Sequence, residues 1–192
     1  MDAASGVVSG TIPLGGKPEF AAADGRGTIF ANLEDQNEVA VIDSKALTVK
    51  AKWPLLPCEG PSGMAMDIEH RRLFIGCHNK MMAVVDADSG KIVATPAIGE
   101  GVDANKFDPG TGLAFSSNGD GTLTVVHEDS ASQFTVIETV STQRGARTMA
   151  IDEKTHNLFL VTAEFGPPPT ANRPHPRPSI VPGSFTLLVF GN

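Results

Sequence analysis

Two cysteines and one histidine are the residues of this sequence best suited to bind a soft metal ion. Cys77 and His78 are adjacent, and Cys58 precedes them. Thiolate and imidazole ligands together suit Zn²⁺ or copper. Cys58 and Cys77 could instead form a disulfide, if a loop bending back brings their Cα atoms to about 4.4–6.8 Å. The residues alone leave the disulfide and a pair of free thiols equally open, and we assign no metal ligand.

The other chemistry-bearing residues form no catalytic set by spacing. His70, His127, His156 and His175 are dispersed along the chain. No serine lies in a G-x-S-x-G elbow, and the short glycine stretches LGG and GEG open no helix, as a phosphate-binding loop requires. We therefore predict no catalytic residue and no cofactor, and we favour a non-enzymatic function.

The composition excludes several classes of partner. The 192 residues carry a net charge of −7 and no Lys/Arg-rich run, which disfavours binding to nucleic acid or anionic lipid. No apolar stretch is long enough to span a membrane. The first residues, MDAASGVVSG, lack the features of a signal peptide. Twenty glycines and fourteen prolines indicate frequent turns, as in an all-β chain.

A repeated structural unit must position the polar residues that carry out the function. Asp24, Asp67, Asp108 and Asp152 each close a short apolar run, at intervals of about 40–45 residues. Each aspartate is followed by a polar turn and by two or three further strand-like runs. Four short strands per unit at this period predict the blades of a β-propeller, because blades stacked around an axis bury each other's apolar faces.

The chain is therefore predicted to be all-β, with about four blades of four-stranded antiparallel sheet. The run VVSGTIPLG matches the outer, fourth strand of a unit, and the last unit stops after its third strand. We predict repeats near 17–55, 60–98, 102–140 and 146–192, with 7–15 as an outer closing strand and 163–184 as an inserted Pro-rich loop.

The repeat resembles that of the YncE-like, YVTN-repeat propellers. The resemblance is carried by "VAVIDSKALTVKAKWPL", "GPSGMAMDIEHRRLFIGCHN" and "MMAVVDADSGKIVATPAIGEG". Members of that family are usually seven-bladed, whereas this chain holds about four repeats. The resemblance implies a periplasmic or secreted location.

The missing blades leave three arrangements open. The chain could close alone as a four-bladed ring, or it could be the C-terminal part of a longer propeller. Two chains could also join into an eight-bladed ring, each lending its first strand to the other. We expect a homodimer that completes the ring, since an open half-ring exposes apolar blade faces.

Two sets of loops should share the face at one mouth of the central channel. They are the loops from each fourth strand to the next first strand and those between second and third strands. Acidic, basic and amide groups converging there suit a small polar ligand, a protein partner or a divalent cation, or they merely solvate turns. The ligand-binding candidates are Lys17, Asn32, Glu59, His78, Asn79, Glu100, Asp103, Asn118, Arg144, Arg147 and Glu164.

The proline-dense segment from Ala163 to Ser184 is predicted to lie across this mouth, where Arg173, His175 and Arg177 make it locally basic. His70 and His156 should lie in turns at the opposite face.

Three functions follow from these features. The favoured one is a non-catalytic binding or scaffold propeller. A metal-dependent lactonase or hydrolase is the enzymatic alternative, because this fold is similar in outline to lactonase-type propellers. An architectural fragment that self-assembles into a closed ring is the third.

Overall fold

A computed structural model describes residues 2–167 and 178–191 of the chain. Within this part the regular secondary structure is β-strand, and no helix has the length and apolarity that crossing a membrane requires. The strands are β1 (Pro18–Ala23), β2 (Thr28–Leu33), β3 (Glu38–Asp43), β4 (Thr48–Pro54), β5 (Pro61–Asp67), β6 (Arg72–Cys77), β7 (Met81–Asp86), β8 (Ile92–Ala94), β9 (Val102–Asp108), β10 (Leu113–Asn118), β11 (Thr122–Ser130), β12 (Gln133–Ser141), β13 (Thr148–Asp152), β14 (Asn157–Thr162) and β15 (Thr186–Phe190).

The strands form four antiparallel sheets, each from consecutive strands of one predicted repeat. The first three sheets are β1–β4, β5–β8 and β9–β12, and the fourth contains β13, β14 and β15. Because each sheet is a meander of neighbours in sequence, short turns are sufficient to connect its strands.

The core lies between the sheets. Phe30, Val39 and Leu73 belong to the buried layer between the first and second sheets. Phe74 and Val126 pack between the second and third sheets, and further apolar layers join the third sheet to the fourth. Sheets that bury their apolar faces against one another in sequence order are what a propeller requires.

The sheets curve about a common axis. Phe20 of β1 contacts both the first and the last of these buried layers. At one end of the axis, the turns after the first strands of all four sheets line a single cavity of about 360 Å³. Its lining includes Arg26, Ile68, Pro109 and Glu153, one residue from each of the four turns.

The repeated aspartates fold these turns. Asp24 accepts hydrogen bonds from the backbone N–H groups of Arg26 and Thr28, at 2.8 and 2.9 Å. Asp67, Asp108 and Asp152 each accept a bond from the backbone N–H two residues later. A carboxylate that satisfies the turn backbone in this way fixes the hairpin. The most regular feature of the sequence is therefore structural.

The residues predicted as an outer closing strand, 7–15, form no strand in the single chain. The first sheet already has four strands. Ile12 and Leu14 instead pack on its otherwise open face, against Leu33 and Ile42 among others. Covering that apolar face is the physical reason for their position.

Candidate functional site

The two predicted sets of loops lie against each other at one end of the blades. The backbone N–H of His78 donates to the carbonyl of Glu59 at 2.8 Å, and that of Gly119 donates to Gly101 at 3.0 Å. Ion pairs join neighbouring sheets, since the Lys80 ammonium lies 2.9 Å from the Glu100 carboxylate. The backbone N–H of Gly60 donates to the Asn37 side chain of the first sheet at 2.7 Å, and that of Gly145, before the fourth sheet, donates to Gly119 at 3.0 Å. A polar rim therefore runs from the first sheet to the loop before the fourth.

Several rim candidates hold the fold together. Asn32 is buried and donates its side-chain amide to the carbonyl of Ser62 at 2.7 Å. Asn118 is buried and donates to the hydroxyls of Thr122 and Thr124. The Asn79 side chain accepts a bond from the backbone N–H of Glu59 and donates to a carbonyl of the same loop. These amide groups are held by hydrogen bonds to the loops and sheets, although the buried Asn32 Oδ1 has no hydrogen-bond partner among the described residues.

Other rim candidates form surface ion pairs. Lys17 pairs with Glu19 and Glu34, and these hydrogen-bonded carboxylates raise the pKa of the Lys17 ammonium. His78 lies 3.7 Å from Glu34. The Asp103 carboxylate accepts a bond from the Thr148 hydroxyl at 3.2 Å. Such exposed contacts orient the loops but contribute little to stability.

Arg144, Arg147 and Glu164 differ from these groups. Their charged side chains make no hydrogen bond or ion pair to another described residue. Arg144 and Glu164 line an open pocket of about 740 Å³ together with Phe165. The base of the Pro-rich loop, where Phe165 bridges to Ile180, forms part of its wall. Arg173, His175 and Arg177 lie outside the described residues.

Cys58 and Cys77 are joined in a buried disulfide, with a Cα–Cα distance of 5.5 Å. The soft-metal hypothesis for Cys58, Cys77 and His78 is wrong, because neither bonded sulfur is a thiolate. The disulfide links the loop before β5 to the end of β6, beside the rim.

The fourth sheet presents an open apolar face. Leu187 and Val189 of β15 are 53% and 55% exposed. The buried layer between two four-stranded sheets includes residues from the fourth strand of each sheet. Between the first two sheets, these residues are Trp53 of β4 and Ile92 of β8. Between the third and fourth sheets only β12 contributes such a residue, Val140. A cleft of about 270 Å³ remains there.

A second polar cluster lies at the opposite end of the blades, between the second and third sheets. It contains Asp67 at the end of β5, His70 in the following turn and Glu128 near the end of β11. One ligand atom from each lies within 4.8 Å of the others. His70 Nδ1 is 2.7 Å from Asp67 and 3.3 Å from Glu128. Both carboxyl groups are buried, whereas the imidazole is half-exposed.

Glu128 is the unusual member of this cluster. Neither of its carboxylate oxygens has a hydrogen-bond partner among the described residues. Burial raises the pKa of Glu128 to about 7, and the negative charge of Asp67 contributes in the same direction. His70 and Arg72 oppose this shift.

Sequence reasoning separated these three residues. His70 is one of several histidines dispersed along the sequence, and Glu128 lies in a different repeat. His127 and His156 each form an ion pair with one carboxylate, Asp129 and Asp108 respectively, at 2.7 Å, whereas His70 lies beside two. The sequence signal that could have indicated this cluster is the aspartate repeat, because it places Asp67 at the same end of its blade as the turn that contains His70.

Comparison with known proteins identifies the fold. No family model and no curated protein matches the sequence. A solved structure of hydrazine synthase from Kuenenia stuttgartiensis is similar, with a TM-score of 0.69 and 15% identity. The likeness covers 84% of this chain, which spans 47% of that one. It concerns the fold alone, and with the four sheets it confirms the predicted β-propeller of about four blades.

Proposed function

We propose that this chain is a non-catalytic β-propeller scaffold of the YncE-like type, which binds a second copy of itself through its fourth sheet. The observation that carries the proposal is the incomplete last blade. Its third strand, β15, has an unpaired edge in the described chain, and Leu187 and Val189 are exposed beside it. Edge strands with exposed apolar side chains favour the addition of another strand.

Residues 7–15 of the second copy are the proposed occupant. In a propeller, the strand that precedes the first strand of one blade belongs to the blade before it. Ile12 and Leu14 already lie on the face of the first sheet that a preceding blade would cover. In the dimer, this segment would pair with β15 of the partner, and both apolar faces would become buried.

The solution mass tests this assembly. We expect native mass spectrometry to give twice the chain mass of 20.1 kDa. The double variant Leu187→Asp with Val189→Asp should be monomeric, because it places charge in the proposed interface. Val93→Asp is the matched control, since Val93 is an exposed apolar residue on the second sheet and should leave the dimer intact. A monomeric wild-type protein would exclude the proposal.

A small-ligand function at the rim is a second candidate. Two arginines, Arg144 and Arg147, lie there without a partner among the described residues, and Arg144 lines the 740 Å³ pocket. Guanidinium groups in this state suit a carboxylate or phosphate group. Calorimetric titration with citrate should detect binding that Arg144→Ala weakens. Loss of binding in Arg26→Ala, at the opposite end, would instead indicate nonspecific charge attraction.

The enzymatic alternative, a metal-dependent lactonase or hydrolase, has less support. It calls for a divalent cation in the channel mouth, whereas the cluster with metal-ligand spacing among the described residues lies at the opposite end. A turnover screen with lactones, with and without EDTA, tests it, and metal-dependent hydrolysis would replace the scaffold proposal.

A periplasmic or secreted location is part of the proposal. The Cys58–Cys77 disulfide supports it, because such bonds persist in oxidising compartments. Thiol titration of protein prepared without reductant should find no free thiol, and two thiols after reduction would confirm that both cysteines were paired.

A further inference from the structure

In two of three cases, the turn that follows a first strand supplies a basic side chain to the aspartate of the preceding repeat. Arg71 lies four residues after Asp67, and its guanidinium is 3.7 Å from the Asp24 carboxylate. His156 lies four residues after Asp152, and its Nδ1 is 2.7 Å from the Asp108 carboxylate. Both buried aspartates are thereby paired with a basic side chain of the next blade.

The middle case lacks this side chain. The residue four positions after Asp108 is Gly112, which faces Asp67 across a cavity of about 60 Å³. All three positions have a left-handed backbone, with φ of 55° at Arg71, 68° at Gly112 and 58° at His156. Glycine at this position therefore leaves space where the other two interfaces hold a basic group.

A second carboxyl group, that of Glu128, borders this cavity. Glu128 lines the same cavity as Asp67, and it is 8% exposed. Neither of its oxygens has a hydrogen bond among the described residues, and the His70 imidazole lies 3.3 Å from one of them. Two buried carboxylates next to one half-exposed imidazole leave an excess of negative charge, and burying such charge without compensation is costly.

We propose that Asp67, His70 and Glu128 bind a divalent transition-metal ion, Zn²⁺ or Mn²⁺, in this cavity. Two carboxylates and one imidazole are a mixed oxygen and nitrogen donor set of the kind these ions accept. The cavity has room for an ion with coordinated water. His70 is half-exposed, and Asp67 also lines the larger cavity on the axis, so an ion can enter from solvent.

This site is a structural clamp between two blades. The ligands come from the second and third sheets, so the ion performs the task that Arg71 and His156 perform at the neighbouring interfaces. Ca²⁺ and Mg²⁺ fit less well, because they prefer sites built from oxygen ligands.

Titration of tag-free protein with the metal alone tests the site. After chelator treatment, calorimetry and elemental analysis should find one Zn²⁺ or Mn²⁺ per chain. A hundredfold excess of metal over its Kd should raise Tm by about 5–10 °C. Glu128→Gln should weaken binding by ~100-fold or more, since even the loss of a group that only hydrogen-bonds to a metal ligand costs ~10–100-fold. His156→Gln should leave binding unchanged, because the second carboxylate that the described residues place in this matched interface, Glu138, is exposed.

A second variant tests the site without removing a ligand. Gly112→Arg supplies the missing side-chain cation. A Cβ there would meet its nearest neighbour at 3.7 Å, an ordinary contact, and the left-handed backbone that strains a side chain at this position is also adopted by Arg71 and His156. We expect it to abolish metal binding while the protein stays folded, as judged by circular dichroism. Binding that survives both Gly112→Arg and Glu128→Gln, an absence of Zn²⁺ and Mn²⁺ binding, or a preference for Ca²⁺ would overturn the proposal.

Discussion

The interface between the first and second sheets and the one between the second and third differ in how a buried carboxylate is neutralised. Asp24 receives turn hydrogen bonds and the Arg71 guanidinium. Burial alone would raise the pKa of Asp24, but these groups lower it overall. Glu128 and Asp67 share a cavity in which the next turn contributes Gly112 and no basic side chain, and burial raises the pKa of Glu128 despite the nearby His70 and Arg72. The same backbone frame therefore places a basic side chain of the next turn beside the buried carboxylate in one interface, and a second buried carboxyl group in the other.

The largest expected effect comes from removing the cation where it is present. Arg71→Ala leaves Asp24 buried without its charge partner, so we expect the free energy of unfolding to fall by about 2–3 kcal/mol. Chemical denaturation measures this loss. Arg26→Ala, an exposed arginine in the same turn as Asp24, should change stability little. Equal losses of unfolding free energy in the two variants would contradict a specific role for Arg71 in neutralising Asp24.

The next effect concerns pH in chelator-treated protein. Folding raises the pKa of Glu128 from 4.5 to about 7, so the folded protein binds more protons than the unfolded chain between these values. The resulting stability is fully present below pH about 4.5 and is lost as pH rises through about 7. Glu128→Gln should remove this decline and stabilise the protein at pH 8 by about 1–2 kcal/mol. Parallel pH profiles for the variant and the wild type would contradict the assignment.

The smallest effect should come from the third interface. His156→Gln removes the contact with Asp108, but the imidazole is 46% exposed and water screens its charge. We expect a loss below about 1 kcal/mol at pH 6. A loss as large as that of Arg71→Ala would mean that burial of the aspartate, not of its partner, determines the cost.

The fold could be predicted because its signals are local. The aspartates at the strand ends accept hydrogen bonds from the N–H groups of their own turns. Each repeated residue therefore stabilises structure that is next to it in the sequence. The rim could also be predicted from the sequence, because the order of the strands in each blade determines which loops share a face. Residues 7–15 were the exception, because their pattern indicates a strand, whereas their position depends on which sheet edge is within reach.

The second polar cluster could not be predicted, for a physical reason. Its chemistry depends on a contact between Asp67 and Glu128, which belong to different repeats. Periodicity gives the blade to which each residue belongs but not the depth at which side chains of adjacent blades meet. The useful sequence signal is an omission, Gly112 at a position that is basic in two other repeats.

The base of the Pro-rich loop has a consequence for engineering. Gly166 donates its backbone N–H to Ser179, and Val181 donates to Glu164, so a short ladder closes the loop next to β14 and β15. This ladder separates the paired residues of β14 and β15 from any segment inserted further along the loop. A peptide tag or a small guest domain inserted beyond the ladder should therefore be displayed at the rim without altering the blade, since closing a longer loop costs little additional free energy.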